Sequence, residues 1–177
     1  MSTEALFENA TRHIKAIDLC IENNLRVPAL ILIYSGIDIF SSLNRPIEKD
    51  VGTREDFKMW CDLYMLSQNE LPCSSVDLYA ARCGVIHSSS SESKLSRNNQ
   101  AKEIIYSWGN QTPEPLQGIL NKVGIIAYVI QVETLADVFK KAVQNYLNDV
   151  KEDSDRINLI VQRAANFFKD QPKEFWR

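Results

Sequence analysis

Histidine is scarce in this chain: His13 and His87 are the two it has among 177 residues. With no clustered ligands around them, a catalytic zinc site is not expected, and no other cofactor is implied. The four cysteines, Cys20, Cys61, Cys73 and Cys83, show no C-x-x-C spacing. They read as buried thiols of a reducing compartment, not as disulfides or a zinc site. The common nucleotide and hydrolase signatures are missing too: there is no G-x-G-x-x-G, no P-loop, no G-x-S-x-G and no H-E-x-x-H. Basic residues are not in surplus. A net charge of −3 and a pI near 5.5 argue against a sequence-blind coat on nucleic acid, which wants a broad basic surface. A local basic site stays open. No uninterrupted apolar run reaches the ~18 residues of a membrane span. The start, Met-Ser-Thr-Glu-Ala-Leu-Phe-Glu, lacks the basic opening and apolar stretch of a signal peptide. The expectation is a cytoplasmic protein with no membrane partner. No internal repeat or heptad array is visible.

What the chain does have is apolar residues at helical spacing. It is 45% hydrophobic, enough for a core, and its length fits one domain over residues 1–177. Over 3–23, Leu6, Ala10, Ile14, Ile17 and Ile21 form one stripe, with Thr3 as cap and His13 as a surface or packing residue. Asn23-Asn24 breaks the pattern. Residues 27–43 are apolar on nearly every side, the mark of a central helix, with Pro28 in the first turn. Asp38 is the odd residue there. A carboxylate in such surroundings needs a cationic or hydrogen-bonding partner, either in a structural ion pair or as an anchor for a functional group. Thr53, Glu55 and Asp56 open a third helix, roughly 54–68, with Phe57, Trp60, Cys61, Tyr64 and Met65 facing inward.

Residues 88–100 are serine-rich and charged, and they read as a loop. Lys94, Arg97 and Lys102 cluster there, as a phosphate-binding lip or as solvated charges. The period then changes. Glu103 to Trp108 and Val123 to Ile130 are rich in β formers. They predict a small two-stranded antiparallel pair near 102–108 and 123–131, joined by a turn-rich link through Thr112-Pro113-Glu114-Pro115. An isolated pair is marginal, so it must pack on the helices. Thr134 can cap a helix over 135–150, with Leu135, Val138, Phe139, Ala142, Val143 and Tyr146 inside. A last helix over 155–169 carries Ile157, Ile160, Val161, Ala164, Ala165 and Phe168. Phe175-Trp176 follows as an exposed or docking apolar pair. The fold class is mainly α.

One stretch, Ser74 to Ser91, carries chemistry. Ser74 or Ser75 caps a helix, Asp77 suits its first turn, and Leu78, Ala81 and Val85 make an apolar face. Arg82 and His87 are the polar groups that interrupt it, and four serines end it. Five residues apart, the two side chains differ by about 140° on an ideal helix. They converge only if the helix loosens near His87, or if a second chain supplies the other half of a site. Gly84 between them costs roughly 1 kcal/mol relative to alanine, which close approach of another backbone would explain.

Arg82-Cys83-Gly84-Val85-Ile86-His87, an arginine and a histidine with four residues between them, resembles the R-x4–6-H motif of the HEPN superfamily. The preceding apolar helix with its Ile-Asp pair supports the likeness, which is best over residues 3–90. The resemblance implies an HEPN-like helical bundle and a homodimer that joins two such motifs in a cleft. It also implies metal-independent endoribonuclease activity of the toxin or phage-defence type. RNA is then the substrate, and an antitoxin or defence-system protein a partner. On that reading Arg82 and His87 are catalytic, Asp38 and Ser88 support them, and Lys94 and Arg97 bind substrate. Two departures stand out. The residue after the arginine is often polar in the family, frequently asparagine, and here it is Cys83. Some toxins carry a modifiable tyrosine two places after the histidine, and here that place is Ser89, so neutralisation by that route is not expected.

The residue types suit the chemistry. RNA supplies its own nucleophile, the 2′-hydroxyl. Histidine titrates near neutrality and can take that proton or give one to the leaving 5′-oxygen. Arginine stays cationic and can bind two phosphate oxygens as charge builds. A non-catalytic HEPN-like module that binds a nucleotide or protein is the alternative. A plain structural helix with Arg82 paired to Asp38 is the simplest reading.

Overall fold

Capping chemistry decides where three of the helices start. The computed structural model of the chain describes residues 2–88 and 94–167. Helix α1 (Thr3–Glu22) opens on Ser2, whose hydroxyl accepts the Ala5 N–H at 3.3 Å. Thr3, the expected cap, lies inside the helix, because the serine one place earlier already takes a free donor of the first turn. Helices α3 (Arg54–Trp60) and α4 (Ser75–Ser88) both open on reciprocal capping boxes. Asp56 accepts the Thr53 N–H at 2.8 Å while Thr53 Oγ1 accepts the Asp56 N–H at 3.4 Å. Asp77 and Ser74 repeat this at 2.9 and 3.3 Å. The second oxygen of Asp77 accepts the Lys102 N–H at 2.6 Å, which fastens the approach to the first strand onto α4.

The apolar stretch over 27–43 is the central helix α2 (Arg26–Asn44). Ile33, Tyr34, Ile37, Phe40 and Leu43 are buried, and α1, α3 and α4 pack around it together with the two last helices. It is the one helix among the described residues long and apolar enough to cross a membrane, with a mean hydropathy of 1.4 over a window half buried inside the fold. Gly36 lets its neighbours approach. A Cβ there would collide with the Phe139 ring and lie 2.7 Å from His13 Nε2. His13 is thus a packing residue, and its Nε2–H donates to the Leu32 carbonyl at 2.8 Å. After Trp60, α3 widens into one π-helical turn, Cys61–Met65, so the helix expected over 54–68 is shorter and changes pitch. Trp60 and Tyr64 belong to an aromatic cluster with Phe40, Phe139 and Tyr146.

The strands run parallel, not antiparallel. Strand β1 (Glu103–Ser107) pairs with β2 (Ala127–Gln131), Glu103 opposite Ala127 and Ser107 opposite Gln131. The physical reason lies in the link. Thr112-Pro113-Glu114-Pro115 is not a turn but the opening of a helix. The expected loop over 88–100 already contains a single short turn, α5 (Lys94–Arg97), and the link between the strands contains α6 (Pro113–Lys122). Proline suits the first helical position, where its missing N–H costs no bond. A helical crossover returns the chain to the same end of the pair, so the second strand enters in the first one's direction. Leu116 and Leu120 of α6 cover Ile105, Ala127 and Val129 on one face of the sheet. Ile104, Tyr106, Tyr128 and Ile130 face the helices on the other, with the Tyr34 and Tyr106 hydroxyls 2.6 Å apart. The Gln117 side chain donates to the Ala127 carbonyl and accepts the Val129 N–H, both at 3.0 Å. It occupies the outer edge of β2 as a further strand would.

Helix α7 (Val132–Glu152) follows β2 without a loop, and Gln131, not Thr134, is at its cap position. Its expected inner face, from Leu135 to Tyr146, is buried. Helix α8 (Ser154–Phe167) brings in Arg163, which donates to the carbonyls of Leu43, Arg45 and Pro46. The Leu43 carbonyl is one that the end of α2 leaves without a helical partner, and Arg45 and Pro46 follow directly after the helix. Ser89, Phe168 and the Phe175-Trp176 pair lie outside the described residues.

Candidate functional site

Helices α2 and α4 pack together so that Asp38 and Arg82 meet. Arg82 Nε and Nη2 both donate to Asp38 Oδ2, at 2.8 and 2.7 Å. The side chains are 21% and 31% exposed, so the pair sits in a wall that solvent still reaches. Burial works against the charge on Arg82. The hydrogen bond and charge of Asp38, with a contribution from Cys83, outweigh it and hold the guanidinium above its ordinary range. The carboxylate expected to need a partner and the arginine expected to do chemistry are therefore partners of each other.

The pair lines a cleft of about 400 Å³, together with Tyr79, Arg54, Thr53 and Phe57. Arg54 and Tyr79 are the residues that reading the sequence did not single out. The Arg54 guanidinium lies over the Tyr79 ring, 5.3 Å from its centroid. Burial and the Cys83 thiol push the Tyr79 hydroxyl up, while Arg82 and Arg54 pull it down. One signal could have marked Arg54: a basic residue in the first turn of a helix, where the dipole favours acids.

His87 and Ser88 occupy the last turn of α4, and the described part of each is its backbone. The helix remains α-helical through Ser88, so backbone positions 82 and 87 stay about 140° apart around its axis. Lys94 opens α5, again described by its backbone. Arg97 lines a different cleft, of about 670 Å³, with Asp77, Lys102 and Tyr128. There Lys102 Nζ lies 3.0 Å from the Tyr128 hydroxyl and over its ring. Arg97 and Lys102 thus share a cleft as the clustering suggested, but not the cleft that Arg82 lines.

Burial pushes the Cys61 thiol well up and Cys73 to about 12, so both stay protonated near neutrality. All four cysteines are free. Among the described residues, no three of His, Cys, Asp and Glu stand together as a metal site. Comparison of the chain with protein-family models, with curated proteins and with solved structures found no match.

Proposed function

We propose that the protein is an HEPN-like, metal-independent endoribonuclease of the toxin or phage-defence type, acting in the cytoplasm as a homodimer. The observation that carries this reading is the Asp38–Arg82 ion pair, placed by the motif-bearing helix on the wall of an open cleft. A carboxylate that takes two donors of one guanidinium fixes its orientation. Arg82 can then stabilise charge on a scissile phosphate. His87, five residues further along α4, takes the 2′-hydroxyl proton or protonates the leaving 5′-oxygen. The products are a 2′,3′-cyclic phosphate and a 5′-hydroxyl. The helical backbone through Ser88 supports a site completed by a second chain, since positions 82 and 87 stand about 140° apart around a regular helix. An antitoxin or a defence-system protein would restrain such an enzyme.

The same ion pair favours a second reading, a non-catalytic module that binds a nucleotide or protein in this cleft and uses Arg82 to hold α4 on α2. Cleavage of a labelled mixed-sequence RNA in EDTA separates the two. Wild type is expected to yield fragments ending in cyclic phosphate, and His87→Ala, at matched folding and dimer content, to yield none. Binding without cleavage by either protein would replace the enzyme with the module.

A further inference from the structure

We propose that Arg54 is the substrate-binding cation of this cleft: its guanidinium holds a backbone phosphate of the RNA strand, while Arg82 serves the reacting phosphate. The inference rests on the ribonuclease reading for the identity of the strand, and on geometry for the residue. Among the described residues, three charged side chains line the cleft, Asp38, Arg82 and Arg54. Asp38 neutralises Arg82 at 2.7 Å, so the charge that an approaching polyanion meets is that of Arg54.

Among the described residues, nothing neutralises Arg54. Its Nε is buried without a hydrogen-bond partner, and among the described residues no carboxylate pairs with it. The neighbouring acids are already engaged. Glu55 pairs with Lys58 at 2.5 Å, and Asp56 with Lys49 at 2.9 Å. The position also opposes the fold's own electrostatics. Arg54 is the first residue of α3, where the helix dipole repels a cation. A cation set there, unpaired and facing a cleft, contributes more to an anion than to the helix. Tyr79 completes the arrangement. The guanidinium carbon lies over its ring, 5.3 Å from the centroid, which restricts the side chain before the ligand arrives.

The test uses the full chain and a 2′-O-methyl oligoribonucleotide, which has no free 2′-hydroxyl and so reports binding alone. Arg54→Gln is expected to weaken binding about tenfold. It should also reduce the slope of log K against log salt by about 0.7, the contribution of one phosphate contact on a single strand. With cleavable RNA, KM should rise by a similar factor while kcat stays within about twofold, as for a contact made equally in ground and transition states. Arg54→Glu, which the first turn of a helix favours, keeps the test valid if the glutamine variant folds poorly; it should weaken binding further. Unchanged affinity and salt slope in both variants, with RNA still cleaved, would overturn the role of Arg54 and leave the ribonuclease reading standing. Loss of affinity in the variants, with no cleavage by wild type, would keep the binding role and remove the enzyme. Failure of wild type to bind would overturn both.

Discussion

Gly36 shows how one residue sets the spacing of three helices. A methyl group there would collide with Phe139 of α7 and press on His13 of α1. Gly36→Ala is therefore expected to destabilise the fold by about 1–3 kcal/mol, the usual cost of overpacking. Gly118, in α6, has nothing within 4 Å of the corresponding position, so Gly118→Ala should instead stabilise by about 0.5–1 kcal/mol. Urea titration of both variants checks the opposite signs. His13 makes a second residue-scale prediction. Burial lowers its pKa below the ordinary 6.5, and the hydrogen bond to Leu32 only partly offsets this. Below that ordinary value the unfolded chain binds a proton that the native one resists. Stability is then full above it and declines as pH falls through it. Denaturation at about pH 7.5 and about pH 5.5 should show a loss in wild type that is smaller in His13→Gln. Equal losses would mean that His13 does not contribute.

At the scale of elements, α2 depends on help from the far end of the chain. Arg163, 8% exposed, spends its donors on the carbonyls of Leu43, Arg45 and Pro46. Arg163→Met keeps the bulk and leaves those acceptors without their buried donor. The expected cost is about 3 kcal/mol, and hydrogen exchange should show the end of α2 opening first. A loss no larger than that of an exposed arginine would refute the capping role. The strand pair is the element least legible in the sequence. Its two β-rich segments could be placed to within a few residues, and Ser107, Ala127 and Gln131 bound them. Their direction could not be, because Pro113 and Pro115 suggest a turn as readily as the first turn of a helix. The choice is made by burial: Leu116 and Leu120 can cover Ile105 and Val129 only if that segment is helical.

At the scale of the molecule, the proposed ribonuclease needs Arg82 and His87 at one phosphate. Positions about 140° apart around α4 predict, on that proposal, a site shared between two chains. Mixing Arg82→Ala with His87→Ala protomers tests this. In a shared arrangement each mixed dimer regains one intact site, and a statistical mixture should recover about a quarter of wild-type activity. If each chain supplies both groups of one site, the mixture stays inactive. Sedimentation of the same samples reports whether mixed dimers form.

The sequence by itself determined the helices with a clear apolar stripe, the buried character of α2, and Arg82 and His87 as the candidate pair. Each of these is written in local spacing or in a charge placed among apolar neighbours. Only the tertiary structure decided that Asp38 answers Arg82 across 44 positions, that Arg97 serves another cleft, and that Arg54 and Tyr79 join Arg82. Such pairings depend on how α2, α3 and α4 pack, and packing is settled by the whole core at once, not by any segment's own pattern.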